Sequence, residues 1–130
     1  MLLTIDIGNS NIVFSLSGAE RRLYRLDTVP DWTAEDYLPR VKSLFAREKI
    51  DISEADGAVL CSVVPSLIPV LSQVVRQLMG LTPYVITPAS RSGLTLAIAE
   101  ANTLGADILA ADAAAAEEYP LPAIIFDMGT

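Results

Sequence analysis

The sequence contains no histidine and only one cysteine, and these two scarcities exclude several kinds of site. Without histidine there is no Ser-His-Asp or Cys-His nucleophile, and zinc sites built from cysteine and histidine are excluded as well. Cys61 has no second cysteine with which to form a disulfide and is flanked by apolar residues. We therefore predict a buried thiol on a strand, in a reducing compartment. Any acid–base chemistry has to come from carboxylates.

Basic residues and long apolar runs are also few. The 9 lysines and arginines are outnumbered by 16 acidic residues, for a net charge of −7, and no basic cluster predicts a nucleic-acid partner. No apolar run approaches the roughly 20 residues of a membrane span. The first residues, Met1–Asp6, lack the basic segment of a signal peptide. We expect a cytoplasmic protein that binds neither nucleic acid nor a membrane.

The apolar pattern predicts an α/β domain that opens with three antiparallel strands. The chain of 130 residues is about one domain long. A hairpin is predicted from Leu2–Ile7 and Ile12–Leu16 around Gly8-Asn9-Ser10-Asn11, with a second turn at Ser17-Gly18. Alternating residues over Arg21–Val29 predict a third, half-exposed strand.

Helices and strands then alternate. A capping box at Thr33 and Asp36 predicts the start of the first helix, in which Pro39 fits poorly. The later predicted elements are a strand at Gly57–Val64, a helix at Ser66–Met79 that stops at Gly80, a strand at Tyr84–Ile86, a helix at Leu104–Tyr119 that packs through Leu104, Ile108, Ala111 and Ala115, and a strand at Ala123–Phe126. Three antiparallel strands followed by parallel βα units predict a ribonuclease-H-like lobe.

One short pattern occurs twice, about a domain length apart. Thr4–Ser10 and Ile125–Thr130 each contain an apolar strand, an aspartate, an apolar residue, a glycine and then a side chain with a hydroxyl or amide. The aspartate can hold a cation, and the glycine lets the backbone approach phosphate oxygens. A strand followed by Asp-x-Gly is also an ordinary turn, but two copies predict a duplicated ATPase whose loops clamp a nucleotide from two sides. Residues 1–120 would form the first lobe, and residues 121–130 would begin a truncated second lobe.

Four blocks in a fixed order carry a family resemblance. They are Asp6-Ile7-Gly8-Asn9-Ser10-Asn11, Cys61-Ser62-Val63-Val64-Pro65, Gly105-Ala106-Asp107 and Asp127-Met128-Gly129-Thr130. Their order and spacing over essentially the whole chain resemble type III pantothenate kinases, of the sugar-kinase/Hsp70/actin ATPase superfamily. The resemblance implies the first half of a duplicated actin-like fold. It also implies ATP-dependent phosphorylation of pantothenate to 4'-phosphopantothenate, the first step of coenzyme A biosynthesis, by a homodimer of the full-length protein. The isolated 130 residues are expected to be inactive.

The resemblance also implies roles for individual residues. It implies that ATP phosphates contact Asp6, Ile7, Gly8, Asn9, Ser10, Asn11, Ile12, Val13 and Thr130. Asp6 would hold a divalent cation such as Mg²⁺, directly or through water, and Asp127 would hold a monovalent cation, K⁺ or NH₄⁺. The positions implied for pantothenate are Gly105, Ala106, Asp107, Ile108 and Ile98. Asp107 would be the general base, although by itself it is also an ordinary first-turn helix residue.

The match departs from the family pattern on the substrate side. Ile108 replaces an arginine that would pair with the pantothenate carboxylate. Ile98 replaces a tyrosine that touches substrate, and Glu100 and Ala101 replace an Asn-Pro pair. Two alternatives therefore stay open: a kinase with a different acceptor, and a non-catalytic or regulatory protein of the same fold.

Overall fold

Alternation of apolar and polar residues produces an antiparallel meander at the start of the chain. The structure is a computed structural model that describes residues 1–17 and 22–127. The three strands are β1 (Leu2–Ile7), β2 (Asn11–Leu16) and β3 (Arg22–Asp27). β1 buries Leu3, Ile5 and Ile7 on one side and leaves Thr4 and Asp6 on the other. The predicted hairpin and third strand are confirmed, whereas Gly18 and Arg21 lie outside the described residues.

Parallel βα units complete a five-stranded sheet. The remaining elements are α1 (Ala34–Arg47), β4 (Gly57–Ser62), α2 (Leu67–Met79), β5 (Tyr84–Val85) and α3 (Ala106–Glu118), with short 3₁₀ turns at Ile52–Glu54 and Ala101–Thr103. The strand order is β3-β2-β1-β4-β5, in which β1, β4 and β5 run parallel. This mixed α/β sheet confirms the predicted fold class and is consistent with the first half of an actin-like ATPase.

Local signals in the sequence set the ends of α1 and α2. The backbone N–H and hydroxyl of Thr33 donate to Asp36 Oδ2 over 2.9 and 2.8 Å, which confirms the predicted capping interaction. Pro39 lies inside α1, five residues after the start of the helix at Ala34, so the helix continues through the proline. The Pro39 side chain is exposed. Gly80 ends α2 with a left-handed φ of 71°.

The main core lies on one face of the sheet, under α1 and α2. It joins the inward residues of β1 and β2 to apolar residues of both helices. Phe45 of α1 packs edge-on against Phe14 and Tyr24, with ring centroids 6.0 and 5.4 Å away. Because this face is filled by aliphatic and aromatic side chains, a ligand site has to lie on the opposite face of the sheet or at its ends.

α3 lies on the opposite face and packs through residues that differ from those predicted. Its buried residues are Ala106 and Leu109, whereas Ile108 is 40% exposed and Ala111 is also exposed. The predicted packing face of α3 is therefore wrong. Alanine-rich helices have little contrast between their faces, so the apolar period did not reveal which side meets the sheet.

The strand predicted at Ala123–Phe126 is not formed. Residues 120–127 are all exposed, including Ile124 at 82% and Phe126 at 83%. A strand needs a hydrogen-bonded neighbour, and none of the described strands pairs with this segment. Met128, Gly129 and Thr130, the rest of the second predicted phosphate loop, lie outside the described residues. In the described part of the chain, no helix is long and apolar enough to cross a membrane.

Candidate active site

A cavity of about 280 Å³ opens on the α3 side of the sheet, where β1 and β4 end. Its walls come from β1, β4, the residue after β5 and α3: Thr4, Ile5, Asp6, Val59, Cys61, Ile86, Asp107 and Ala110. Ligands of α/β proteins bind near the carboxyl ends of parallel strands, and Asp6 and Cys61, each the last residue but one of its strand, bring the cavity close to those ends. The structure thus brings together two aspartates that are far apart in the sequence.

Asp6 lies on the exposed side of β1, beside Cys61 on the parallel strand β4. The Cys61 thiol donates a hydrogen bond to Asp6 Oδ1 over 3.3 Å. Burial of the thiol, and next the Asp6 carboxylate, raise the pKa of Cys61 from 9.0 to about 12. The thiol therefore stays protonated at neutral pH and is not a nucleophile. The predicted buried cysteine on a strand is confirmed.

Asp107 points a carboxylate oxygen into protein rather than into solvent. Its Oδ1 is buried and has no hydrogen-bond partner among the residues that the structure describes. Gly105, the residue before α3, makes room for this oxygen, because a Cβ at position 105 would collide with it. A desolvated acceptor without a donor is costly, and such groups are found at functional sites. This arrangement suits a general base.

The turn between β1 and β2 is a closed loop with polar side chains on its outside. Gly8 N–H donates to the Asn11 carbonyl over 3.0 Å, and a Cβ on Gly8 would lie only 3.1 Å from that oxygen. Thr28, after β3, ties the loop down by donating its hydroxyl to the Gly8 carbonyl over 2.8 Å. Asn9, Ser10 and Asn11 are exposed. Exposed polar side chains thus surround a tight backbone turn at this end of the sheet, an arrangement that can approach phosphate oxygens.

Not every residue implied for ATP can contact it through a side chain. The side chains of Ile7 and Ile12 are fully buried in the main core, on the face away from the cavity, and Val13 is half-buried. Only backbone groups of Ile7 and Ile12 can reach a ligand. Asp127 is exposed at the end of the described chain, and Thr130 lies outside the described residues.

Of the positions implied for pantothenate, too, only some lie at the cavity. Asp107 lines the cavity, Gly105 packs against its carboxylate, and Ala106 between them is buried. Ile98 and Ile108 are 51% and 40% exposed, and neither lines the cavity. The structure therefore does not bring these two isoleucines to the paired aspartates.

The carboxylates fit a hard divalent cation only in combination with other ligands. Within residues 1–17 and 22–127, no three metal-ligating side chains converge. Mg²⁺ commonly takes one or two carboxylates and completes its coordination with nucleotide phosphates and water. The exposed Asp6 carboxylate at the cavity and beside the phosphate loop fits that role.

Comparison with known proteins decides the family. The sequence model of type III pantothenate kinase matches residues 2–130. The chain belongs to the type III pantothenate kinase family. It is 35% identical to the type III pantothenate kinase of Halalkalibacterium halodurans, 36% to that of Moorella thermoacetica and 33% to that of Pelobacter propionicus. Each alignment covers 100% of this chain and 52% of the relative, so the chain spans about half the length of these curated relatives.

Membership of the type III pantothenate kinase family gives the paired aspartates a chemical context. A kinase of this family works on ATP, and such kinases use a divalent cation. The cavity supplies one carboxylate next to the turn between β1 and β2 and a second carboxylate in the first turn of α3.

Sequence reasoning missed a second cleft, which adjoins the first. It has a volume of about 370 Å³ and is lined by residues that include Arg91 and the serines on either side of it. Residues 87–92 follow β5 without periodicity or a motif, so no signal in the sequence pointed to them.

Proposed function

We propose that the whole protein catalyses ATP-dependent phosphorylation of pantothenate to 4'-phosphopantothenate. The observation that carries the proposal is the placement of Asp6 and Asp107 on the walls of one cavity, in a member of this family. When bound, Mg·ATP supplies the phosphoryl group together with the positive charge that offsets its oxygens. The protein then contributes chiefly positioning and one proton acceptor.

Each residue has a distinct task in this scheme. Asp6 holds the divalent cation, directly or through water, and the turn from Gly8 to Asn11 binds the phosphates through its N–H groups and side chains. Asp107 accepts the proton of the terminal hydroxyl as that oxygen attacks the phosphorus. Its place on the cavity wall supports this role, because a hydroxyl bound in the cavity can reach the carboxylate.

The remaining parts of the proposal rest on the family resemblance. Residues 121–130 begin the second lobe, in which Asp127 holds a monovalent cation, K⁺ or NH₄⁺, and Thr130 approaches the phosphates. The whole protein is a cytoplasmic homodimer. The described residues taken alone provide one of the two phosphate loops, so we expect no turnover from residues 1–130 in isolation.

A different acceptor is the second candidate, and the exposed isoleucines favour it. Ile98 and Ile108 stand where the family resemblance expects a tyrosine and an arginine, and both lie outside the cavity. A site that loses an arginine–carboxylate pair loses about 1.5–3 kcal/mol per charged hydrogen bond. A neutral or differently charged alcohol would then be the better substrate.

Turnover by the full-length protein tests both candidates. Mass spectrometry follows phosphopantothenate formed from ATP and pantothenate by the wild type, by Asp107→Asn and by Asp112→Asn, which changes a half-buried aspartate further along α3. We expect wild-type turnover, a loss of about 10²- to 10⁴-fold in Asp107→Asn, and near wild-type rates in Asp112→Asn. ATP binding without turnover of pantothenate would overturn the main proposal in favour of another acceptor or a non-catalytic role.

A further inference from the structure

The cleft missed by sequence reasoning lies between β5 and α3 and continues the cavity that holds the paired aspartates. The cavity and the cleft share three lining residues, Val59, Ile86 and Ala110. Beyond them the cleft is lined by Tyr84, Ser90, Arg91, Ser92, Leu109 and Ala113. A ligand can therefore place one end at Asp107 and extend along α3 into the cleft.

The negative and positive side chains lie at opposite ends of the path formed by the cavity and the cleft. Asp6 and Asp107 stand at the cavity end, and Arg91 stands at the cleft end. Among the described residues that line either space, Arg91 is the only cation. Within the described part of the chain it makes no hydrogen bond or ion pair, so its guanidinium is uncommitted. A ligand with a hydroxyl at one end and an anionic group at the other matches this distribution.

The segment that carries Arg91 is held in place. Ser90 N–H donates to the Thr87 carbonyl over 2.9 Å, and Thr87 N–H donates to Ser90 Oγ over 2.9 Å, which closes a turn directly after β5. The Tyr84 hydroxyl donates to the same Ser90 Oγ over 3.2 Å. These bonds fix the backbone next to Arg91 relative to the sheet.

The span of the path suits a small hydroxy acid. The stretch of α3 from Asp107 to Ala113 rises about 9 Å at roughly 1.5 Å per residue. An extended chain of a few carbon and amide units covers such a distance between its hydroxyl and its carboxylate. The apolar wall formed by Val59, Ile86 and Ala110 would lie along the middle of that chain.

We propose that Arg91 binds the carboxylate of the acceptor, in place of the arginine that is absent at position 108. The inference rests on the proposed kinase function and adds a specificity residue to it. Ile108 is exposed outside the cavity and has no charge, whereas Arg91, in the segment after β5, lines the adjoining cleft. A guanidinium can form two parallel hydrogen bonds to a carboxylate, and this geometry favours acids over neutral alcohols.

The test compares two acceptors that differ only at the anionic end. Full-length wild type, Arg91→Ala, Arg91→Lys and Arg76→Ala are assayed with pantothenate and with panthenol, in which a hydroxymethyl group replaces the carboxylate. Arg76, on α2 against the other face of the sheet, is the matched control. We expect Arg91→Ala to raise the KM for pantothenate about tenfold to a hundredfold, the equivalent of one or two charged hydrogen bonds. The KM values for panthenol and ATP should stay unchanged. Arg91→Lys should fall between wild type and Arg91→Ala, and Arg76→Ala should match wild type.

Three outcomes would overturn the inference, and each can be told apart from the others. If wild type prefers pantothenate and Arg91→Ala keeps that preference, the kinase function stands and the role of Arg91 falls. If wild type phosphorylates neither acceptor, the proposed function fails and the inference fails with it. An equal loss for both acceptors in Arg91→Ala would indicate a structural effect and would likewise overturn carboxylate binding by Arg91.

Discussion

The Cys61 thiol donates a hydrogen bond to Asp6 Oδ1 across the β1–β4 pair, over 3.3 Å. The two residues are register partners on parallel strands, so their side chains leave the sheet on the same face. Through this bond a neutral, buried group orients the carboxylate that we assign to the divalent cation. Asp6 itself lines the cavity.

Replacing Cys61 tests whether this bond orients Asp6. Cys61→Ser keeps a donor of similar size, whereas Cys61→Val keeps the bulk and removes the donor. We expect Cys61→Val to raise the KM for Mg·ATP several-fold, about what the loss of one hydrogen bond of roughly 1 kcal/mol produces. Cys61→Ser should stay near wild type. Steady-state kinetics at varied Mg·ATP measures the effect, and identical KM values in the two variants would contradict it.

The same thiol predicts how stability depends on alkaline pH. Its pKa is raised in the folded protein from 9.0 to about 12, so the folded state holds the proton more tightly than the unfolded state. The contribution of the protonated thiol to the free energy of unfolding is fully present below pH 9 and is lost as pH rises from about 9 to about 12. Urea unfolding of wild type and Cys61→Ser at a series of pH values measures it. The free energy of unfolding should fall more steeply in wild type, and parallel curves would refute the assignment.

Gly105→Ala should damage catalysis without unfolding the protein. Gly105 has φ −60° and ψ 139°, which alanine adopts readily, but the added Cβ would collide with Asp107 Oδ1. The carboxylate has to move, and a shift of the order of 1 Å in a catalytic group costs about 10²-fold. We expect kcat to fall by about that factor while the melting temperature changes little.

Gly57→Ala is the matched control for this variant. Its new Cβ would meet Leu2 Cδ1 at 3.4 Å, an ordinary contact at the start of β4. It should keep wild-type kcat. Equal kcat values in the two alanine variants would show that Gly105 has no special relation to Asp107.

Asp36 links acid pH to the stability of α1. Hydrogen bonds from the Thr33 backbone, and next from its hydroxyl, lower the pKa of Asp36 below 3.8. A lowered folded-state pKa gives stability that is present above the unfolded value and lost as pH falls through the folded value. Asp36→Asn should therefore lower the melting temperature at pH 7 and lose less stability than wild type below pH 4. Glu35→Gln, the same charge change one residue earlier, should have a smaller effect. Calorimetry over pH 2–7 compares the three, and coincident profiles would contradict the role of Asp36.

Local signals in the sequence were enough to predict most of the fold. Alternation in β1 and β2, the capping pair at Thr33 and Asp36, and the stop at Gly80 act over a few residues and were readable without a structure. The prediction of a strand at residues 123–126 was wrong because a strand has to pair with a neighbouring strand, and the local sequence pattern does not reveal whether one is there. The packing face of α3 was wrong because alanine is compatible with either side of a helix.

For the candidate site, too, the sequence predicted some features and the tertiary structure was needed for others. The sequence by itself determined the chemical groups, since Asp6, Gly8, Gly105 and Asp107 were recognisable as motif residues, and it determined the family through their order. Only the tertiary structure decided that Asp6 and Asp107 share a cavity, that Ile98 and Ile108 lie outside it, and that Arg91 lies beside it. Motif chemistry belongs to neighbouring residues, whereas a cavity is formed by residues far apart in the chain whose proximity exists only after β1, β4, β5 and α3 have packed.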